Sequence, residues 1–115
     1  MSNATGAGGA HVLVVDDDED ILRLLSIRLR ARGFRVTTAA SAEEGLQLLD
    51  ERDINLLLLD IWMPDTDGIT LLKEWSHDQT LLIPVVMMSG HGTVETAVEA
   101  IRLGAYDFIE KPLTT

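Results

Sequence analysis

Apolar residues in this chain come in two rhythms. The runs Val12-Leu13-Val14-Val15, Leu56-Leu57-Leu58-Leu59 and Val85-Val86-Met87-Met88 are apolar at every position and too short for an ordinary helix. Such runs predict strands buried on both faces. Between them, apolar residues recur at helical spacing instead. The first strand is expected over His11–Val15, followed by a helix whose stripe is built from Ile21, Leu24, Leu25 and Ile27 or Leu29, with Gly33 as its C-terminal cap. Phe34–Ala39 predicts the second strand. Ser41 with Glu44 three residues on has capping-box spacing and opens a helix with Leu46, Leu48 and Leu49 on its buried side.

The third strand starts at Leu56 and ends on Asp60, where Pro64 and Gly68 mark a loop. Ile69, Leu71, Leu72 and Trp75 suggest a third helix, and Pro84–Met88 a fourth strand. Val94, Ala97, Val98 and Ile101 fall at i, i+3, i+4 and i+7, an amphipathic helix stopped at Gly104, and Tyr106–Glu110 reads as the fifth strand. Strand and helix alternate throughout. That order predicts an α/β fold, a doubly wound parallel sheet with right-handed crossovers and helices on both faces. Its carboxyl edge then collects Asp16 and Asp17, Asp60, Ser89 and Lys111, and open α/β sheets bind their ligands at that edge.

The 115 residues provide for one domain. Without cysteine there are no disulfides and no thiolate chemistry, which fits a reducing cytoplasm. No segment approaches membrane-spanning length, and a formal charge of −10 disfavours direct nucleic-acid binding. Residues 1–10, small and glycine-rich, read as a vector-derived or disordered leader outside the domain at 11–115. Gly6-Ala7-Gly8 precedes the first strand instead of following it, so it does not read as a phosphate loop.

Several chemistries compete for Asp60. A serine-hydrolase elbow at Ser89 needs glycine two residues earlier, where Met87 stands. A calcium loop fits Gly68 and Glu74 but not Met63 in its first ligand position. A magnesium-dependent phosphatase of the haloacid-dehalogenase type carries a second acid where this chain has Trp62. His11, His77 and His91 lack zinc-ligand spacing. Asp16 to Asp20 alone reads equally well as a solvated helix start favoured by the dipole.

Taken together, Val14-Val15-Asp16-Asp17, Leu59-Asp60 with Met63-Pro64-Asp65 and Gly68, Met88-Ser89-Gly90, and Glu110-Lys111-Pro112 resemble the receiver domain of two-component response regulators from about His11 to Leu113. Gly90 to Leu113 is similar to receivers of the nitrogen-regulatory subfamily. The resemblance implies a flavodoxin-like (CheY-like) sheet of five parallel strands in the order 2-1-3-4-5. It further implies that Asp60 takes a phosphoryl group from a sensor histidine kinase. Mg2+ (or Mn2+) would be bound by Asp17, Asp60 and the Trp62 backbone carbonyl, with Asp16 acting largely through water. Lys111, brought in by a cis bond to Pro112, would pair with Asp60 and then with the phosphoryl group, and the Ser89 hydroxyl would bind another oxygen.

Ser89 and Phe108 would form the switch, although Phe108 lacks the hydroxyl of the tyrosine often found there. Trp62 and His91, flanking the path of an attacking water, are expected to set how long the phosphoryl group lasts. The family continues through a fifth helix, whereas this sequence stops at Thr115, so exposed apolar surface is expected, with either self-association, a homodimer among the options, or low stability. The partners implied are the kinase and an output domain, AAA+ and DNA-binding in this subfamily, in a cytoplasmic transcriptional regulator. A pseudo-receiver, keeping the fold without phosphorylation, is the alternative.

Overall fold

The computed structural model describes residues 9–51, 53–63, 66–67, 70–71, 83–90, 94–103 and 105–110. Strand β1 (His11–Val15) leads into helix α1 (Glu19–Ala31), then β2 (Arg35–Ala39), α2 (Ala42–Glu51) and β3 (Leu56–Asp60). A short ribbon follows, β4 (Trp62–Met63) and β5 (Thr66–Asp67), before β6 (Val85–Ser89), α3 (Val94–Arg102) and β7 (Asp107–Glu110). Five strands form one parallel sheet in the order β2-β1-β3-β6-β7. With the ribbon set aside this is the expected 2-1-3-4-5 order. Of the third predicted helix only Thr70 and Leu71 are described, and both are helical.

Side chains alternate across this sheet and build two cores. Leu13, Val15, Leu57, Leu59, Val85 and Met87 point into one, covered by Leu48 and Leu49 of α2 and by Ala100 of α3. Val12, Val14, Leu58, Val86 and Met88 form the other, covered by Leu22, Leu25 and Leu29 of α1. The unbroken apolar runs of β1, β3 and β6 are thus what a sheet sandwiched between helices requires. α2 lies so close to β1 that a Cβ on Gly45 would sit 2.8 Å from a Val15 methyl.

Helix ends follow the local chemistry. The Asp18 carboxylate accepts the Asp20 amide at 2.9 Å and caps α1, and Gly33 (φ 95°) turns the chain out of it with its amide bonded to the Arg30 carbonyl. Ser41 Oγ accepts the Glu44 amide at 3.1 Å, while Glu44 reaches back to the Ala40 amide, one residue before the position a capping box uses.

At the sheet's amino-terminal edge Asn55 bonds His11 twice. Its side-chain oxygen accepts the His11 amide at 2.8 Å, and its own amide donates to the His11 carbonyl at 2.8 Å. The His11 ring nitrogen Nε2 lies 2.6 Å from the hydroxyl of Thr37, two residues beyond its register partner Arg35, and ties β1 to β2.

Three expectations need correction. Leu46 is exposed rather than buried, because Leu48 and Leu49 already fill the face of α2 that meets the sheet. In α3 the contact rests on Ala100, fully buried, whereas Val98 and Ile101 of the predicted stripe are 51% and 47% exposed. A small residue lets α3 sit close to the sheet, and the larger apolar residues beside it then flank the contact. The segment after Asp60, read as loop, contains the antiparallel ribbon β4–β5, with Trp62 opposite Asp67 and Met63 opposite Thr66. Ile101→Ser is therefore expected to change stability by less than about 0.5 kcal/mol. Ala100→Leu should cost about 1–3 kcal/mol through overpacking. Urea denaturation of the two variants checks the pair.

Candidate functional site

Register is what assembles the site. Val15 of β1 lies level with Leu59 of β3, so Asp16 and Asp60, each one residue further on, leave the sheet together. Asp60 pairs with Met88 of β6, which puts Ser89 one step beyond it at the same edge. Ser89 in turn is level with Glu110, the residue before Lys111. Backbone bonds hold these ends down: the Asp16 amide donates to the Ala39 carbonyl at 3.1 Å and the Ile61 amide to the Met88 carbonyl at 2.9 Å.

Asp16 is fully buried, Asp60 is 2% exposed, and Asp17 faces solvent. One carboxylate oxygen from each of the three lies within 4.8 Å of the others. Asp16 Oδ1 also accepts the Asp18 amide at 2.9 Å, so the first acid of the run folds the loop that carries the second. Ser89 is fully buried at the end of β6. Phe108 is half-buried, paired with Met87 in register and packed on the core beneath Asp60. Trp62 begins the ribbon two residues after Asp60.

Of the expected residues, the structure gathers Asp16, Asp17, Asp60 and Ser89 at one edge. Lys111, Pro112, His91 and the side chain of Trp62 lie outside the described residues. In a run of five acids the N-cap Asp18 looks like its neighbours. The signal available was its place immediately before the helical pattern begins.

Three carboxylates converging from two strand ends are an oxygen donor set for a hard divalent cation, which takes such ligands and keeps several waters. Packed this closely, they also repel one another. At an effective dielectric near 20 each pair costs about 3 kcal/mol, which a cation would offset.

The edge and its sheet have close counterparts. Residues 12–115 match the response regulator receiver domain family. The chain is 46% identical over 106 residues to the nitrogen assimilation regulatory protein NtrX of Azorhizobium caulinodans, covering 90% of this chain and 23% of that protein. It is 45% identical over 103 residues to an NtrX-like response regulator of Rickettsia felis, covering 88% and 22%. The chain therefore spans about a fifth of the length of these curated relatives. Among solved structures, the beryllofluoride-activated NtrC4 receiver domain dimer superposes with a TM-score of 0.82 at 39% identity, covering 90% of this chain and 85% of that one.

The chain belongs to the response regulator receiver domain family, the switch domains of two-component systems. Its relatives place it in the nitrogen-regulatory subfamily. Receiver domains generally bind Mg2+, and the acidic trio fits such an ion. Among the described residues no helix is long and apolar enough to cross a membrane.

Proposed function

We propose that this domain is a phosphoacceptor in which Asp60 receives a phosphoryl group from the phosphohistidine of a sensor histidine kinase. The observation that carries the reading is the convergence of Asp16, Asp17 and Asp60 within 4.8 Å, with Ser89 at the next strand end. An Asp60 oxygen attacks phosphorus, the phosphorus–nitrogen bond of the donor breaks, and its electron pair returns to the imidazole, which takes up a proton. An acyl phosphate is left on Asp60.

Asp17, Asp60 and the Trp62 backbone carbonyl would hold Mg2+, with Asp16 acting through water. When bound, the ion neutralises the clustered charge and that of the phosphoryl oxygens. Ser89 then donates its hydroxyl to one phosphoryl oxygen and Lys111 its ammonium to another. The shift of Ser89 toward the phosphoryl group makes room for Phe108 to move inward, which changes the face built by α3 and β7. Phe108 acts by filling space, having no hydroxyl to donate. In the full-length regulator this switches an AAA+ and DNA-binding output in the cytoplasm, and the dimeric NtrC4 relative supports a homodimer as one readout.

Incubation with acetyl phosphate and Mg2+ followed by intact mass measurement tests the reading. A single phosphoryl addition that Asp60→Asn eliminates is expected. No addition to the wild type would sink the proposal and leave the pseudo-receiver, while sustained phosphoester turnover would favour a phosphatase. The phosphorylated form should also change lifetime in Trp62→Asn and His91→Ala, because both positions flank the path of water to the acyl phosphate. Decay followed by the same mass assay, unchanged in both variants, would remove that role.

A further inference from the structure

A single peptide group joins the acidic edge to the helix that follows β2. The Ala39 carbonyl, at the end of β2, accepts the Asp16 amide at 3.1 Å, and the Ala40 amide donates to Glu44 Oε1 at 2.9 Å. That carbonyl and that N–H belong to one planar trans amide and point in opposite directions, one toward β1 and the other toward the first turn of α2. Glu44's departure from capping-box geometry creates the connection, since a bond to the Ser41 amide would leave the Ala39–Ala40 peptide untouched. Asp16 is held from its other side too, where its Oδ1 accepts the Asp18 amide. The first turn of α2 also reaches this strand end through Gly45, which lies against Val15, the residue before Asp16.

We propose that Glu44 is a positioning residue for the acidic trio, fixing the backbone of Asp16 through the Ala39–Ala40 peptide and, with it, the place its buried carboxylate takes beside Asp17 and Asp60. Two physical effects carry the assignment. Because the amide is planar, holding its N–H also sets the direction of its carbonyl. A carboxylate that accepts from the N–H polarises the amide as well, which makes its oxygen the stronger acceptor for Asp16. Glu44 is exposed and is not one of the acids whose oxygens converge, so it acts as the far end of a hydrogen-bonded chain and not as a ligand. This role presupposes that the trio binds a cation, whereas the hydrogen bonds themselves are present without one.

Three variants separate positioning from charge and from helix capping. Glu44→Gln removes the charge but keeps a side-chain oxygen, and Glu44→Ala removes both. Ser41→Ala deletes the hydroxyl that accepts the Glu44 amide and so weakens the same helix start, but spares the Ala39–Ala40 peptide. In metal-free protein the Asp16 amide proton, followed by heteronuclear NMR, is expected to shift upfield and to exchange faster with deuterium in Glu44→Ala. It should stay near its wild-type position in Glu44→Gln and in Ser41→Ala, although Ser41→Ala melts lower. Mg2+ affinity, measured by isothermal titration calorimetry, should fall about threefold in Glu44→Ala alone, less than the loss of a group bonded directly to a ligand's side chain. An Asp16 amide unmoved in Glu44→Ala would overturn the proposal. Equal loss of Mg2+ affinity in Glu44→Gln would overturn it in favour of charge alone, and equal loss in Ser41→Ala in favour of the cap. Failure of the cation reading looks different: the wild type itself would take up no Mg2+ while the Asp16 amide still moved in Glu44→Ala, which would overturn the role of Glu44 at a metal site and leave it fixing a strand end.

Discussion

Asp60→Asn is expected to melt higher than the wild type in the absence of metal, by about 1–2 kcal/mol or roughly 5–15 °C for a domain of this size. Asp60 and Asp16 are buried, and one oxygen of each lies within 4.8 Å of the other and of one from Asp17. Two of the three carboxylate repulsions vanish with the Asp60 charge, each about 3 kcal/mol before solvent screens the share of exposed Asp17. Adding Mg2+ should reverse the ranking. A ligand at a hundred times its dissociation constant contributes about 2.7 kcal/mol to the form that binds it, and the variant has lost one of its carboxylate ligands. Calorimetric melts with EDTA and with excess Mg2+ check both halves. A metal-free variant no more stable than the wild type would show that the trio stores no such repulsion.

Leu59→Ala should cost about 2–5 kcal/mol, a large part of the 5–15 kcal/mol that usually holds a domain together. Leu59 is fully buried in the core shared with Leu57 and Met87, so its removal leaves a cavity that close neighbours on three strands cannot collapse to fill. Because it directly precedes Asp60, the same cavity loosens the strand end that carries the proposed phosphoacceptor. Urea unfolding measures the stability term, and a loss under about 1 kcal/mol would mean the neighbouring side chains repack around the gap.

How far the sequence could be read depended on whether a feature was local. β1, β3 and β6 announced themselves because a strand covered on both faces has no polar positions to interrupt the run. The acidic edge lies at the ends of those runs, which is why Asp16, Asp17, Asp60 and Ser89 are legible together from the sequence. Val98 and Ile101 misled for the opposite reason. Helical spacing says which residues share a face, but the sheet decides which face is pressed against it, and here the small Ala100 allows the closer approach. The ribbon after Asp60 was hidden because two-residue strands are too short to show any period. The N-cap at Asp18 was hidden among equals, since the backbone, and not the side-chain type, selects one aspartate out of a run of five acids.

The pair of hydrogen bonds between Asn55 and His11 has a reach beyond its own end of the sheet. A strand advances about 3.3 Å per residue, and neighbours keep step only if something sets the count. Asn55 sets it for β1 and β3 before the first leucine. Five residues later, roughly 16 Å away, that phase decides whether Asp16 and Asp60 arrive level or a full residue apart. An offset introduced at the start would travel undiminished to the acidic end, like a misprinted zero on a ruler. Asn55 stands at the opposite end of the strands from the acidic edge, yet it acts as the origin from which that edge is measured.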